Sequence, residues 1–496
     1  MALISIETFQ FFLIVFLLYW LCPSRMRWVI LLMANIVYIW LNNSVLQCMI
    51  MGIMIFVAWF SAMLIKYTDN KHHRMIAYLA VVFEIFILVW LKDIQFFTNI
   101  CSVVFQRKIT VATITAPLGI SYYTLSLVSY ILDVYWESAH AQTNILKFAT
   151  YAGFFPLLQS GPIVRYNEEY QAIFDKKKFS YEKMCMGCQR IIWGCFKKLV
   201  IAERISVIVS TVYNDYYSYH GIYIWIAVML FPLQLYTDFS GCIDIIMGMA
   251  EMLGIELPEN FQTPFASTSI SEFWRRWHIT LGAWLRDYVL YPVLKSKLWQ
   301  KIGKNLGKKF GKKAGKKMAT WLGMFISWFL IGFWHGGAWN YIIGVGLWFW
   351  AVIVFGEAVQ LYRGKKPGKK ECGKWKSILY AGRTYIIFAL GLGMFRSYNG
   401  IAEGLKIYGQ AFRFNKMHVA ELGLASEDVV VLLVALIVLF TAGILREKKR
   451  QSLREYFMNK PIAVQWTLWT IMLFSVILFG KYGTGYNASD FIYVNF

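Results

Sequence analysis

Between Val45 and Ile65 the chain runs for 21 residues without a charged side chain, and comparable apolar runs recur along its length. A helix needs about 20 mostly apolar residues to cross the hydrocarbon core of a bilayer. Charged residues make up 16% of the 496-residue chain, where soluble domains carry about 25%. Mean hydropathy is +0.49. The length alone would suit a soluble enzyme of two or three domains, and the apolar runs exclude it. The expected fold is an all-α polytopic membrane protein, a single membrane domain over residues 1–496 with about 11–12 crossings. The first apolar run, Phe11 to Leu21, has no basic residue before it and no small-residue cleavage site after it. It reads as a retained span rather than a signal peptide.

Fifty basic and 28 acidic residues leave a net charge of +22. The basic residues cluster at Arg25 and Arg27, at Lys66 to Arg74, at Lys176 to Lys178, at Lys295 to Lys317, at Arg363 to Lys376 and at Arg446 to Arg450. Cytoplasmic loops of membrane proteins collect Lys and Arg. Placing every cluster inside leaves an even number of spans between successive clusters and puts both termini outside. Topology therefore accounts for the charge, and no nucleic-acid partner is expected. The stretch 293–317 repeats Gly every fourth residue in "GKKFGKKAGKK". Glycine at that density weakens a helix, so the stretch reads as a flexible basic loop. It would attract anionic lipid or serve as a landing surface for an anionic cytosolic donor. A second basic loop covers 363–376, and a long outer segment covers 397–429.

Two stretches fit spans poorly. Tyr151 to Tyr166 is broken by Pro156, Gly161 and Pro162 and reads as re-entrant, which requires protein or water around it. In Ser271 to Pro292, Phe273, Trp277, Leu281, Trp284, Leu285 and Tyr288 share one helical face, and Arg275, Arg276, Arg286 and Asp287 lie off it. That pattern predicts an interfacial helix, with His278 at the edge between its faces.

Of the seven histidines, His335 alone sits deep in an apolar run, "ISWFLIGFWHGGAWNYIIGVGLWFW". An ionisable residue at membrane depth is a functional candidate. A neutral imidazole can act as a general base toward a hydroxyl or thiol; the bland alternative is a histidine hydrogen-bonded between helices. Gly332, Gly336 and Gly337 beside it allow close approach. No second ligand stands at helical spacing from it, and the lone Cys185-x-x-Cys188 lacks a second pair, so no metal site and no bound cofactor are expected. Asp238 and Asp244 lie in another apolar span. They read as a hydrogen-bond clamp between helices, as part of an acceptor pathway or as a counter-charge for arginine.

These motifs, taken together, resemble the membrane-bound O-acyltransferase (MBOAT) family, and within it the bacterial alginate O-acetyltransferase branch, with teichoic-acid D-alanyl transfer as a near relative. The resemblance rests on "PLGISYYTLSLVSYILDVY" (117–135), "FFPLLQSGPIVRY" (154–166), "DFSGCIDIIMGMAEMLGIELPENFQTPF" (238–265), "FWRRWHITLGAWLRDYVLYP" (273–292), "GFWHGGAWN" (332–340) and "FIYVNF" (491–496), in that order. It implies a multi-pass enzyme of the bacterial plasma membrane, with helices around a transmembrane tunnel. It implies His335 as catalytic base and His278 as a second catalytic position toward the cytoplasm. It implies substrate contacts at Trp274, Arg275, Arg276, Trp277, Arg286, Trp334, Asp238 and Asn340. The donor it implies is a cytosolic acyl thioester, acetyl-CoA first, with D-alanyl on an acyl carrier protein as the alternative. The acceptor would be a hydroxyl of an extracellular or cell-wall polysaccharide, reached with an extracytoplasmic transferase partner. A transporter of a lipid-linked sugar and a scaffold whose partner holds the chemistry are the readings of another class.

Overall fold

The computed structural model describes residues 2–363, 373–397, 400–414 and 419–482. The "FIYVNF" motif and most of the 363–376 loop lie outside these residues, as do parts of 397–429. The chain is helical throughout the described residues, and the isolated bridge Phe261–Trp277 is the strand-like pairing found there. Among the described residues, eight helices are long and apolar enough to cross a membrane, including Val45–Tyr67, Asn70–Lys92, Ile222–Met252, Lys312–Trp334 and Lys374–Phe395. Ile6–Leu21, Arg27–Asn42 and Ile94–Phe105 are shorter apolar helices. Two compact units divide the chain: residues 1–200, 238–259 and 454–496 form one, and residues 201–237 and 260–453 form the other.

In the first unit the stretch Tyr151 to Tyr166 is interrupted, as its prolines and glycine predict. The helix Ile145–Ala152 stops, a five-residue helix Phe155–Gln159 follows, and an extended segment leads to the helix Tyr166–Phe174. Phe154, Phe155, Leu158, Ile163 and Val164 are buried. Asn35, itself buried on the Arg27–Asn42 helix, answers the interrupted backbone. Its amide donates to the Thr150 carbonyl at 2.9 Å, and its Oδ1 accepts from the Phe155 N–H at 2.9 Å. Backbone groups freed by a broken helix must find such partners away from water.

The same unit buries a cluster of charges. The helix Tyr181–Cys195 continues through a π-helical turn, Phe196–Ala202. Lys197 Nζ lies 2.6 Å from Asp244 Oδ2, Arg190 Nε 2.9 Å from Asp244 Oδ1, and Lys198 Nζ 2.5 Å from Asp238 Oδ1. Arg190 also reaches Glu259 at 2.9 Å, and Lys197 donates to Ser240 Oγ at 2.8 Å. Three cations thus meet three carboxylates, and both aspartates clamp helices together. The sequence reading singled out the two aspartates but not Lys197 or Lys198, which sit in another apolar stretch.

In the second unit the lysine-rich stretch corrects the expectation of a flexible loop. It is a helix, Lys297–Phe310, turned back at Gly311 onto the start of Lys312–Trp334. The glycines that argued against a helix are what permits the hairpin. A Cβ on Gly315 would lie 2.2 Å from the Gly307 nitrogen, so the two backbones touch there. Trp299 ties the pair further along, donating from Nε1 to the Ala319 carbonyl at 2.8 Å. Nine of the ten lysines point outward; half-buried Lys317 pairs with Glu357 at 2.9 Å.

Candidate active site

The segment 270–295 is not one interfacial helix. It divides into Ile270–Phe273, Ile279–Leu285, a π-turn Arg286–Leu290 and Tyr291–Lys295. The break falls at His278, whose φ of 44° and ψ of 53° are left-handed, a conformation that non-glycine residues rarely adopt. Neighbouring backbone over-determines it. Gln262 N–H donates to the Arg276 carbonyl at 2.9 Å, and Ile279 N–H to the Asn260 carbonyl at 3.0 Å. The predicted face survives the break: Phe273, Trp277, Leu281, Trp284, Leu285 and Tyr288 are all buried.

His335 caps the C-terminus of Lys312–Trp334, and its own N–H still closes the last turn onto the Ile331 carbonyl at 3.3 Å. The chain then turns through Gly336 and restarts at Trp339–Tyr341. Gly332 lets that restart pack close, because a Cβ there would lie 2.5 Å from the Ile342 Cα.

These two elements bring the histidines to one indole. The Trp334 ring lies 5.1 Å from the His335 ring and 5.9 Å from the His278 ring, centroid to centroid. His335 is 4% exposed and His278 is 2% exposed. Phe395 closes on His335 edge to face at 5.7 Å, and Tyr341 packs on Phe395 at 4.9 Å. Asn340 fixes this wall, its amide donating to the Ser397 carbonyl at 2.9 Å and the Phe395 carbonyl at 3.3 Å. Its Oδ1 is buried and makes no hydrogen bond among the described residues. The surroundings are aromatic and buried, which strengthens any electrostatic interaction inside. His278 lies outside the candidate spans, and burial pushes its imidazole down to about 3, so it is neutral at physiological pH.

Of the residues implied by resemblance, the structure brings together His278, Trp334, His335 and Asn340. Trp274 and Trp277 lie elsewhere in the same aromatic core. Trp274 packs on Phe349 at 5.0 Å and Trp328 at 5.1 Å; Trp277 packs on Phe388 and Phe261, both at 5.1 Å. Arg276 is held by Glu272 at 2.8 Å and Glu447 at 2.6 Å, and Arg286 by Asp287 at 2.9 Å. Arg275 is exposed. Asp238 belongs to the first unit, where Lys198 takes its carboxylate. Sequence reasoning missed Asn260, 0% exposed, whose Oδ1 lies 3.3 Å from His278 Nδ1. Only its place just before the bridge residue Phe261 distinguishes it, and that is not visible in one sequence.

The family model for membrane-bound O-acyltransferases matches residues 36–380. A probable alginate O-acetylase of Pseudomonas syringae pv. tomato is 30% identical over 422 residues, covering 84% of this chain and 76% of that protein. The peptidoglycan O-acetyltransferase of Helicobacter pylori is 26% identical over 58% of this chain and 56% of its own. The teichoic acid D-alanyltransferase of Bacillus subtilis is 28% identical over 46% of this chain and 55% of its own. The family model covers well over half of the chain, and the described residues form a helical protein with many apolar spans: the chain belongs to the membrane-bound O-acyltransferase family and is a multi-pass membrane O-acyltransferase.

Proposed function

We propose that this O-acyltransferase, in the bacterial cell membrane, takes an acetyl group from cytosolic acetyl-CoA and delivers it for O-acetylation of an extracellular or cell-wall polysaccharide. The observation that carries the reading is the packing of both His335 and His278 against Trp334 in buried, aromatic surroundings. The likeness to the alginate O-acetylase runs over 84% of the chain and that to the D-alanyltransferase over 46%, which favours acetyl as the group moved. An acyl carrier protein is the second donor to test.

In the step proposed, an imidazole nitrogen of His335 takes the proton of an acceptor hydroxyl as its oxygen attacks the thioester carbonyl carbon. The C–O bond forms and a tetrahedral oxyanion develops. It collapses with loss of the C–S bond, and the thiolate takes the proton back from His335. Atoms and charge balance without a co-reactant. Neutral His278, which also packs on Trp334, orients the donor or passes a proton. Arg275 and the lysine hairpin offer cations to the donor's phosphates. A separate extracytoplasmic transferase completes delivery to the polymer.

Purified protein in nanodiscs, given acetyl-CoA labelled in the acetyl group, is expected to release free thiol and move label to a hydroxyl acceptor. Absence of turnover with acetyl-CoA, alongside turnover with a D-alanyl carrier protein, would reassign the donor.

A further inference from the structure

We infer that Asn260 is a positioning residue that fixes the tautomer of His278, with the proton on Nδ1 and the lone pair on Nε2. The assignment rests on which atom of the Asn260 amide must be the oxygen. The backbone N–H of Thr280 points at that atom from 3.2 Å. A backbone N–H can only donate, so the atom it meets is an acceptor, Oδ1. The Thr280 hydroxyl meets the same oxygen at 3.0 Å. His278 Nδ1 lies 3.3 Å from this oxygen, and an amide oxygen has no proton to give. Nδ1 is therefore the donor of that bond. A neutral imidazole carries one N–H, so Nε2 is the basic nitrogen.

Asn260 is well placed to impose this choice. It is fully buried, so water does not compete for its oxygen. Its carbonyl also accepts from the Ile279 N–H at 3.0 Å, which ties Asn260 to the left-handed turn at His278 by main chain and side chain together. Nothing in the chemistry of an isolated imidazole would select this form, since free neutral imidazoles favour the proton on Nε2. The amide thus decides which nitrogen offers a lone pair. The use of that lone pair rests on the acetyl-transfer reading; the tautomer itself does not.

The test is ¹⁵N NMR of the full-length protein in nanodiscs with ring-labelled histidine, the His278 signals identified by their loss in His278→Gln. At neutral pH the wild type is expected to show a protonated Nδ1 and a bare Nε2. Asn260→Leu is expected to lose that preference. Asn260→Asp keeps an oxygen at the same place, and the proton stays on Nδ1 even where the second nitrogen also gains one. Thr280→Val removes one bond to Asn260 but not the one to His278, and it should leave the tautomer unchanged. A wild-type His278 with its proton on Nε2 would overturn the assignment. So would a well-folded Asn260→Leu protein with wild-type His278 signals. If Nδ1 is protonated but no acetyl-CoA is consumed, the acetyl-transfer reading fails and the tautomer assignment stands.

Discussion

His335→Ala is expected to lower acetyl-CoA turnover about 10²- to 10⁴-fold, the range that a positioned general base supplies. At about 1.4 kcal/mol per factor of ten, that removes about 3–5 kcal/mol of transition-state stabilisation. The fold should tolerate the change. His335 is the residue after the last helical turn, and its main-chain bond to Ile331 survives alanine. Single-turnover rates in nanodiscs, read beside the size-exclusion profile, separate lost chemistry from lost protein. A folded His335→Ala protein within a factor of three of wild-type turnover would remove His335 from the mechanism.

The second large effect concerns stability and arises in the first unit. Asp244→Ala is expected to destabilise the protein by about 3–5 kcal/mol, the usual cost of breaking a buried ion pair from one side. Asp244 holds Lys197 on one oxygen and Arg190 on the other. The side chain of Lys197 is 3% exposed, so the cation cannot simply move to water. The double variant Lys197→Met/Asp244→Leu removes one charge of each sign and should recover much of the loss, because Arg190 keeps Glu259. Thermal unfolding in detergent measures both. Equal melting temperatures for Asp244→Ala and wild type would show that the cluster holds nothing together.

The parts of the account legible in one sequence are those that repeat with a period or sit against a strong background. Long apolar runs identified the spans, and a lone histidine in such a run identified His335 as the residue to examine. The buried face of 273–288 was readable from spacing, because burial follows the hydrophobic pattern even where the helix itself breaks. The break could not be read, since nothing about a histidine announces a left-handed backbone; it is imposed by the strand-like contact of 260–262 with 276–279. Glycine spacing misled for the opposite reason. Propensity counts glycine against a helix, while a stripe of glycines is also what lets two helices touch. Asn260 and Lys197 needed tertiary structure, because each acts on a residue distant in sequence or on the next helix.

The central claim is that one site moves an acetyl group from a donor on the cytoplasmic face to a hydroxyl on the other. Proteoliposomes with the protein oriented in one direction test it most directly, with labelled acetyl-CoA confined to the cytoplasmic side and a polysaccharide acceptor, together with the extracytoplasmic transferase, on the opposite side. The account predicts labelled acetyl ester on the opposite side while CoA stays where it was supplied, and neither product with His335→Ala. Label that stays on the donor side, or acetyl-CoA that itself crosses, would contradict it.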